Sequence, residues 1–242
     1  MILKEKSILV TGASSGIGKQ VCIQIAREGA AVCLLARNHE RLDETLGLLE
    51  GTGHRTFICD LTEDGEIETL ANEIPCVDGI VFCAGVNEFV PVKFIKQEKI
   101  NRIFQTNFFS QLILLQKLLK KKKVNRNASL VFISSVSSLM GVPGTIIYSS
   151  SKGAMNSAVR VLASELAGQK IRANAICPGI IRTPMIAGSN ISEKQFLEQE
   201  KLYPLGLGTP TDVADAVIFH LSDKSRWLTG NIMVLDGGFS LQ

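Results

Sequence analysis

The sequence predicts an α/β fold in which helices cover both faces of a doubly wound, parallel sheet of about seven strands. Two observations predict it. Short apolar segments alternate with longer segments of helical period along the 242 residues, and the short segments are apolar at consecutive positions, as strands buried on both faces must be. Such alternation implies right-handed crossovers between parallel strands. No linker interrupts it, so residues 1–242 are expected to form a single domain.

Seven apolar segments are predicted as strands and six periodic segments as helices. The strands are Ser7–Val10, Ala31–Leu35, Arg55–Cys59, Gly79–Cys83, Ser129–Ser134, Ile171–Cys177 and Ile232–Leu235. The helices are Ile17–Glu28, Asn38–Leu49, Asp64–Glu73, Gln97–Lys122, Tyr148–Leu166 and Thr211–Leu221. Gly29 follows the first helix as a stop signal, and Asn38 is a typical N-cap for the second.

One polar excursion, residues 184–204, follows the sixth strand and carries a helical stretch near residues 192–201. Ligands of doubly wound sheets bind outside the carboxyl ends of the strands. We therefore predict that residues 184–204 form a substrate lid. The alternative is a surface insertion with no role in binding.

Composition and charge exclude several classes of function. Hydrophobic residues make up 45% and charged residues 20% of the chain, as in soluble globular domains. The net charge of +3 is too small to indicate nucleic-acid binding. No apolar run reaches membrane-spanning length and no signal peptide is visible, so a cytoplasmic protein is expected. The six cysteines form no CxxC pair and the three histidines lack metal-ligand spacing, so we expect reduced thiols and no metal site.

A glycine-rich loop lies between the first strand and the first helix. It reads Thr11-Gly12-Ala13-Ser14-Ser15-Gly16-Ile17-Gly18. The first glycine permits a tight turn, the second lets the backbone approach a pyrophosphate, and the third allows close packing of helix on strand. The helix N-terminus adds free N–H groups and partial positive charge. The loop therefore predicts a dinucleotide site, the alternative being a structural glycine turn.

The end of the second strand indicates which dinucleotide is bound. NAD-binding chains usually carry an acid there, about 20 residues past the glycines, for the ribose 2′-hydroxyl. This strand instead runs into Arg37 and Asn38. Arg37 suits a 2′-phosphate, which favours NADP(H) over NAD(H); the alternative is a solvated side chain. Asp60 follows the third strand and either accepts from the adenine amino group or caps the next helix.

Tyr148 and Lys152 are spaced i, i+4 and so share one face of the predicted helix. An adjacent ammonium favours a phenolate, so Lys152 is expected to lower the pKa of Tyr148. A shift from about 10 to about 7 corresponds to roughly 4 kcal/mol. The pair predicts an acid–base site, although such a pair is also common on exposed helix faces.

These motifs, in this order, resemble those of the short-chain dehydrogenase/reductase family, which has a Rossmann fold. The glycine loop matches the family's cofactor loop, and Tyr148 and Lys152 match its catalytic pair. Ser135 lies thirteen residues before Tyr148, at the family's catalytic serine, and Asn107 matches its fourth catalytic position. Further matches are Pro178-Gly179-Ile180-Ile181-Arg182-Thr183, Leu228-Thr229-Gly230 and Asp236-Gly237-Gly238.

The resemblance implies hydride transfer between a nicotinamide and a carbonyl or alcohol. It implies that Tyr148 is the proton donor, that Lys152 tunes it and holds the nicotinamide ribose, and that Ser135 orients the carbonyl oxygen. Asn107 would support a water that relays protons past Lys152. The cofactor site it implies comprises Gly12, Ser14, Ser15, Gly16, Ile17, Gly18, Arg37, Asn38, Asp60, Leu61, Ala84, Gly85, Tyr148, Lys152, Pro178, Gly179, Ile181 and Thr183.

The chain departs from the family at one place. The family usually has Asn-Asn-Ala-Gly after the fourth strand, where this chain has Phe82-Cys83-Ala84-Gly85. The small residues that allow close approach of the cofactor are kept. Two amides are lost, together with hydrogen bonds to neighbouring backbone, so a less rigid centre of the sheet is expected.

The resemblance is strongest to the NADPH-dependent 3-oxoacyl-[acyl-carrier-protein] reductases of fatty acid biosynthesis, which implies a carbonyl substrate that could be carried on acyl carrier protein. An alcohol or sugar dehydrogenase working in oxidation and a non-catalytic dinucleotide-binding scaffold are the alternatives. A basic cluster suits an acidic carrier or a solvated helix end equally well; it comprises Lys117, Lys120, Lys121, Lys122, Lys123 and Arg126. Arg126 and Lys170 are the nearest counterparts of the family's carrier-docking residues. The family also implies a homotetramer or homodimer.

Overall fold

The computed structural model describes residues 1–187 and 198–241, and within them seven parallel strands form one sheet in the order β3-β2-β1-β4-β5-β6-β7. The strands are β1 (Ser7–Thr11), β2 (Ala31–Ala36), β3 (Arg55–Ile58), β4 (Val77–Phe82), β5 (Val124–Ile133), β6 (Arg172–Pro178) and β7 (Ile232–Leu235). The strand order reverses direction between β1 and β4. This is the doubly wound sheet that the sequence predicts.

The helices mostly coincide with the periodic segments. They are α1 (Gly16–Arg27), α2 (His39–Leu46), α3 (Asp64–Glu73), α4 (Gln97–Phe104), α5 (Ser110–Lys120), α6 (Ile146–Leu166), α7 (Pro184–Ala187) and α8 (Pro210–Leu221). Asn38 caps α2 by accepting from the Arg41 N–H at 2.9 Å, as predicted. At α8 the Thr209 and Asp212 side chains form a reciprocal capping box, with Pro210 at the first helical position.

Two buried apolar clusters fix the helices on opposite faces of the sheet. α3, α5 and α6 cover one face, and α1, α2 and α8 cover the other. Strand residues alternate between the clusters: Leu9 belongs to the first and Val10 to the second, and both are fully buried. Double coverage explains why the strand segments are apolar at consecutive positions.

The predicted helix Gln97–Lys122 is helical from Gln97 to Lys120, but it is not a regular α-helix throughout. Residues Gln105–Phe109 form a π-helical turn between α4 and α5, and Asn107 lies at its centre with no exposure. Turns of this kind widen the helix by one residue and are frequent at functional sites. The turn gives the Asn107 side chain a direction that a regular helix would not.

The helical stretch near residues 192–201 lies largely outside the described residues, so the lid stays a prediction. Across residues 1–187 and 198–241, no helix is long and apolar enough to cross a membrane. In the same ranges, no group of three or more His, Cys, Asp or Glu side chains is placed to hold a metal ion.

Candidate active site

A cavity of about 970 Å³ opens along the carboxyl ends of the central strands. This is where doubly wound sheets bind ligands. Its wall contains every residue predicted for the cofactor or for catalysis except Asn107: Gly12, Ser14, Ser15, Gly16, Ile17, Gly18, Arg37, Asn38, Asp60, Leu61, Ala84, Gly85, Ser135, Tyr148, Lys152, Pro178, Gly179, Ile181 and Thr183. The fold thus brings together side chains that lie up to 171 positions apart, from Gly12 to Thr183.

The glycine loop has the geometry of a phosphate cradle. Gly12 adopts φ +69°, and a Cβ there would lie 3.0 Å from the Ala84 backbone. A Cβ on Gly18 would lie 2.2 Å from the Gly12 carbonyl oxygen. The Ser15 side chain makes no capping bond, and no acidic residue lies in the first turn of α1. The Ser15 side chain thus leaves the amides at the start of α1 uncapped, which fits a bound pyrophosphate there.

The predicted adenosine end is held by an ion pair. Arg37 Nη1 lies 3.3 Å from Asp60 Oδ2, and Asp60 Oδ1 accepts from the Thr62 N–H and hydroxyl at 2.9 and 2.8 Å. Burial raises the pKa of Asp60, but the bonds from Thr62 and Arg37 outweigh it and leave the pKa below its usual value. Asp60 thus shapes the local turn, while the Arg37 side chain stays 68% exposed.

Ser135, Tyr148 and Lys152 form the centre of the cavity. Ser135 precedes a 3₁₀ turn and accepts at Oγ from the Ser137 N–H. Lys152 is 4% exposed, and its Nζ donates to the Ile133 carbonyl at 2.7 Å. The same Nζ lies 5.8 Å from the centroid of the Tyr148 ring. The two side chains therefore share one helix face, as their spacing predicts.

The expected direction of the Tyr148 pKa is wrong for the structure described. Burial raises that pKa to about 12, and a hydrogen bond with Ser135 offsets only part of the rise. Burial also lowers the pKa of Lys152 to about 8. An adjacent ammonium favours the phenolate, but the loss of water around the phenol is the larger effect here and raises the pKa of Tyr148. Tyr148 consequently holds its proton at neutral pH.

Asn107 lies behind the cavity wall rather than in it. Its Oδ1 accepts from the Val86 N–H at 2.8 Å, and its Nδ2 donates to the Val86 carbonyl at 2.9 Å and to Ser151 Oγ at 3.1 Å. All three contacts lie close to Lys152. The geometry gives Asn107 a bracing role on the segment after β4.

The segment after β4 is well bonded despite the missing asparagines. Phe82 stacks on Phe132 of the neighbouring strand at 4.3 Å between centroids. The Thr11 hydroxyl accepts from the N–H groups of Cys83 and Ala84, both at 3.0 Å. The Phe82–Phe132 stack and the bonds to Thr11, a residue of the loop that matches the family, hold this segment in place. The expected loss of rigidity stays a prediction.

Several lining residues are not among the predicted cofactor and catalytic residues, although one of them, Tyr203, falls within the predicted lid at residues 184–204. Arg41 lies one turn after Arg37 at the adenosine end, and Tyr203 and Phe239 stack at 4.8 Å at the opposite end. The Tyr203 hydroxyl accepts from the Ile180 N–H at 3.0 Å. Arg41 could have been found from its place in the first turn of α2. The aromatic stack could not, because its two members lie 36 positions apart.

Two members of the basic cluster form ion pairs within the fold, and two others bond to backbone carbonyls. Lys117 and Lys121 lie 2.9 and 2.6 Å from Glu68 of α3, and together they lower the pKa of Glu68 to about 2. Lys123 donates to the Asn72 carbonyl, and Arg126 to the Gly168 carbonyl at 3.4 Å. The cluster spans the end of α5 and the start of β5, so it lies at the amino edge of the sheet, away from the cavity.

Comparison with known proteins agrees with this geometry. Residues 12–240 match the family model described as enoyl-(acyl carrier protein) reductase. The chain is 32% identical to a 3-oxoacyl-[acyl-carrier-protein] reductase of Thermotoga maritima, with 98% of this chain and 99% of that protein covered. It is 31% identical to a cyclopentanol dehydrogenase of Comamonas testosteroni, with 98% of each chain covered. A short-chain type dehydrogenase/reductase from Mycobacterium ulcerans superposes with a TM-score of 0.91 at 28% identity, covering 100% of this chain and 92% of the other.

Fold, site and relatives together define an oxidoreductase that acts on carbonyl or alcohol groups with a nicotinamide dinucleotide. The chain belongs to the short-chain dehydrogenase/reductase family.

Proposed function

We propose that this protein is an NADPH-dependent carbonyl reductase in which Tyr148 is the proton donor. The observation that carries the proposal is the convergence of Ser135, Tyr148 and Lys152 in the wall of one cavity that also contains the phosphate cradle. Tyr148 carries its proton at neutral pH, as a proton donor must, but burial raises its pKa to about 12 and makes the proton harder to donate, so the Lys152 ammonium has to stabilise the tyrosinate.

A bound dinucleotide would supply the hydride that adds to the carbonyl carbon. The chain's own residues orient the carbonyl and supply the proton. Ser135 donates a hydrogen bond to the carbonyl oxygen and orients it, and Tyr148 transfers its hydroxyl proton to that oxygen as negative charge develops. The Lys152 ammonium stabilises the tyrosinate left behind. Asn107 holds the Val86 peptide beside Lys152 and supports the return of a proton from water.

We further propose NADP(H) as the preferred dinucleotide. Arg37 and Arg41 lie at the adenosine end of the cavity, and a guanidinium suits a 2′-phosphate. The pairing of Arg37 with Asp60 orients the guanidinium without removing its charge.

The substrate we favour is a 3-oxoacyl thioester on acyl carrier protein, as named for the Thermotoga maritima relative. KM for the acyl group on acyl carrier protein should be lower than KM for the same acyl group on a small thiol, and equal KM values would exclude a carrier-docking site. Arg126 and Lys170 lie close together at the amino edge of the sheet, away from the cavity, so we do not propose them as that site.

The cyclopentanol dehydrogenase relative keeps oxidation of a small alcohol open as a second function. We also propose a cytoplasmic homodimer or homotetramer. Phe109 and Val161 are exposed large apolar side chains on the π turn and on α6, and such side chains on long helices suit contact between copies. Light scattering after size exclusion measures the assembly directly.

The decisive experiment replaces each of the two tyrosines by phenylalanine. NADPH and NADH are titrated first, followed by turnover with carbonyl substrates that include a 3-oxoacyl thioester. Tyr148→Phe should lose roughly 10²–10⁴-fold in kcat, while Tyr203→Phe, the same change in the same cavity, should keep most activity. Wild-type turnover that survives in Tyr148→Phe would refute the mechanism. Dinucleotide binding without any NADPH consumption would instead favour a scaffold.

A further inference from the structure

The segment Cys83–Val86 joins the two halves of the proposed site. On one side, the Ala84 backbone lies against the phosphate cradle, since a Cβ on Gly12 would be only 3.0 Å from Ala84 N and Cα. On the other side, a Cβ on Gly85 would be 3.5 Å from Lys152 Nζ and 3.3 Å from Asn107 Oδ1. A displacement of this segment would therefore move both the cradle and the surroundings of Lys152.

Three side chains from outside the segment hold its backbone. Thr11 accepts from the first two N–H groups, and Asn107 binds both polar groups of Val86. The carbonyl of Ala84 is bound by Gln111, whose Nε2 donates to it at 2.6 Å. Gln111 is 1% exposed, so water has little access to replace that donor. A buried carbonyl left without a donor is costly.

We infer that Gln111 is a positioning residue for hydride transfer, an inference that rests on the proposed function. Gln111 follows Asn107 by four residues, so both amides leave the same side of the π turn and α5 toward one loop. Asn107 fixes the Val86 peptide, and Gln111 fixes the plane of the Ala84–Gly85 peptide. Without Gln111 the plane of the Ala84–Gly85 peptide is free to rotate. The distance between Lys152 and the phosphate cradle, which this segment joins, is then no longer fixed.

The test compares Gln111→Met with Ser110→Ala. Methionine keeps the length and burial of the side chain but cannot donate. Ser110 is a neighbouring buried polar residue whose hydroxyl donates to Thr106 within its own helix, away from the loop. We expect Gln111→Met to bind NADPH about tenfold more weakly, as loss of a buried hydrogen bond allows, and kcat to fall as well. Ser110→Ala should keep the NADPH affinity and kcat of wild type, although its Tm should be similar to that of Gln111→Met.

A second variant gives a readout that a purely structural role would not. In Gln111→Glu, a carboxylate would face the Ala84 carbonyl, acceptor against acceptor, whereas the protonated acid can donate. Lowering the pH should therefore restore NADPH affinity in Gln111→Glu relative to wild type, and should not do so in Gln111→Met.

NADPH affinity is measured by coenzyme fluorescence and stability by thermal unfolding, so both are independent of turnover. Wild-type affinity and kcat in Gln111→Met would overturn the inference, as would losses of the same size in Ser110→Ala. If wild type binds NADPH but reduces no carbonyl, the proposed function fails. The ratio of NADPH affinities between Gln111→Met and wild type still tests whether Gln111 positions the segment.

Discussion

His220 should make the stability of this protein fall in mild acid. The side chain lies in the last turn of α8 with no exposure, and neither ring nitrogen has a hydrogen-bond partner among the described residues. Burial, together with the nearby Arg172 guanidinium, lowers its pKa to about 4. Arg172 itself is fixed by bonds to the His220 and Ser222 carbonyls and to Ser225 Oγ, so it cannot readily move away from the ring.

The sign and size of this change in stability follow from the difference in the His220 pKa between the folded and unfolded states. In the unfolded chain the His220 pKa is near 6.5, so the unfolded state binds a proton first as pH falls. The contribution of the neutral ring to stability is complete above about pH 6.5 and is lost progressively down to the folded pKa, about 4. At about 1.4 kcal/mol per unit, the loss is roughly 3 kcal/mol.

Urea unfolding of wild type and His220→Leu, at intervals from pH 7.5 to pH 4.5, measures this loss. Leucine removes the titrating ring and the two unpartnered nitrogens. The difference in unfolding free energy between the two proteins should shift by about 1.4 kcal/mol per pH unit below 6.5, in favour of the variant. His39→Leu, at an exposed position on α2, is the control. A difference that stays constant with pH would refute the reasoning.

Three further outcomes are expected. Arg37→Met should weaken NADPH binding roughly tenfold to a hundredfold, as lost bonds to a charged group do, and leave NADH binding unchanged; equal losses for both, measured by coenzyme fluorescence, would remove the 2′-phosphate argument. Gly18→Ala should destabilise by about 1–3 kcal/mol in urea, because its Cβ would meet the Gly12 carbonyl at 2.2 Å. Gly65→Ala, with nothing within 4 Å of the new Cβ, should show no such loss. Lys170→Gly should stabilise by about 0.5–1 kcal/mol, because Lys170 has φ 57°; an equal gain in Lys170→Ala would contradict this.

The sequence predicted the sheet and its helices because double burial leaves a direct trace in the residue types. Leu9 and Val10 are both apolar because opposite faces of β1 are both covered. Asn38 could be identified as a cap because capping depends on its immediate neighbours alone. Local signals of this kind can be identified in the sequence without knowledge of the tertiary structure.

Long-range effects could not be predicted in the same way. The spacing of Tyr148 and Lys152 gave their shared face but not the burial that raises the pKa of Tyr148 to about 12. The departure from the family at Phe82 and Cys83 is visible in the sequence, whereas the stack of Phe82 on Phe132 depends on strand neighbours far apart in sequence. The π turn left no periodic signal, since residues 97–122 alone suit a continuous helix.

The π turn also determines how this region can tolerate insertion and deletion. One residue of an α-helix corresponds to about 100° of rotation about the axis. Deleting a single residue from Gln105–Phe109 would restore a regular helix and leave the faces of α4 and α5 in nearly the same relative direction, because the widened turn holds its extra residue within about the same rotation. The change would fall on the turn itself, where the Asn107 amide would turn away from Val86. The number of residues in this turn is therefore as strictly constrained as the identity of Asn107.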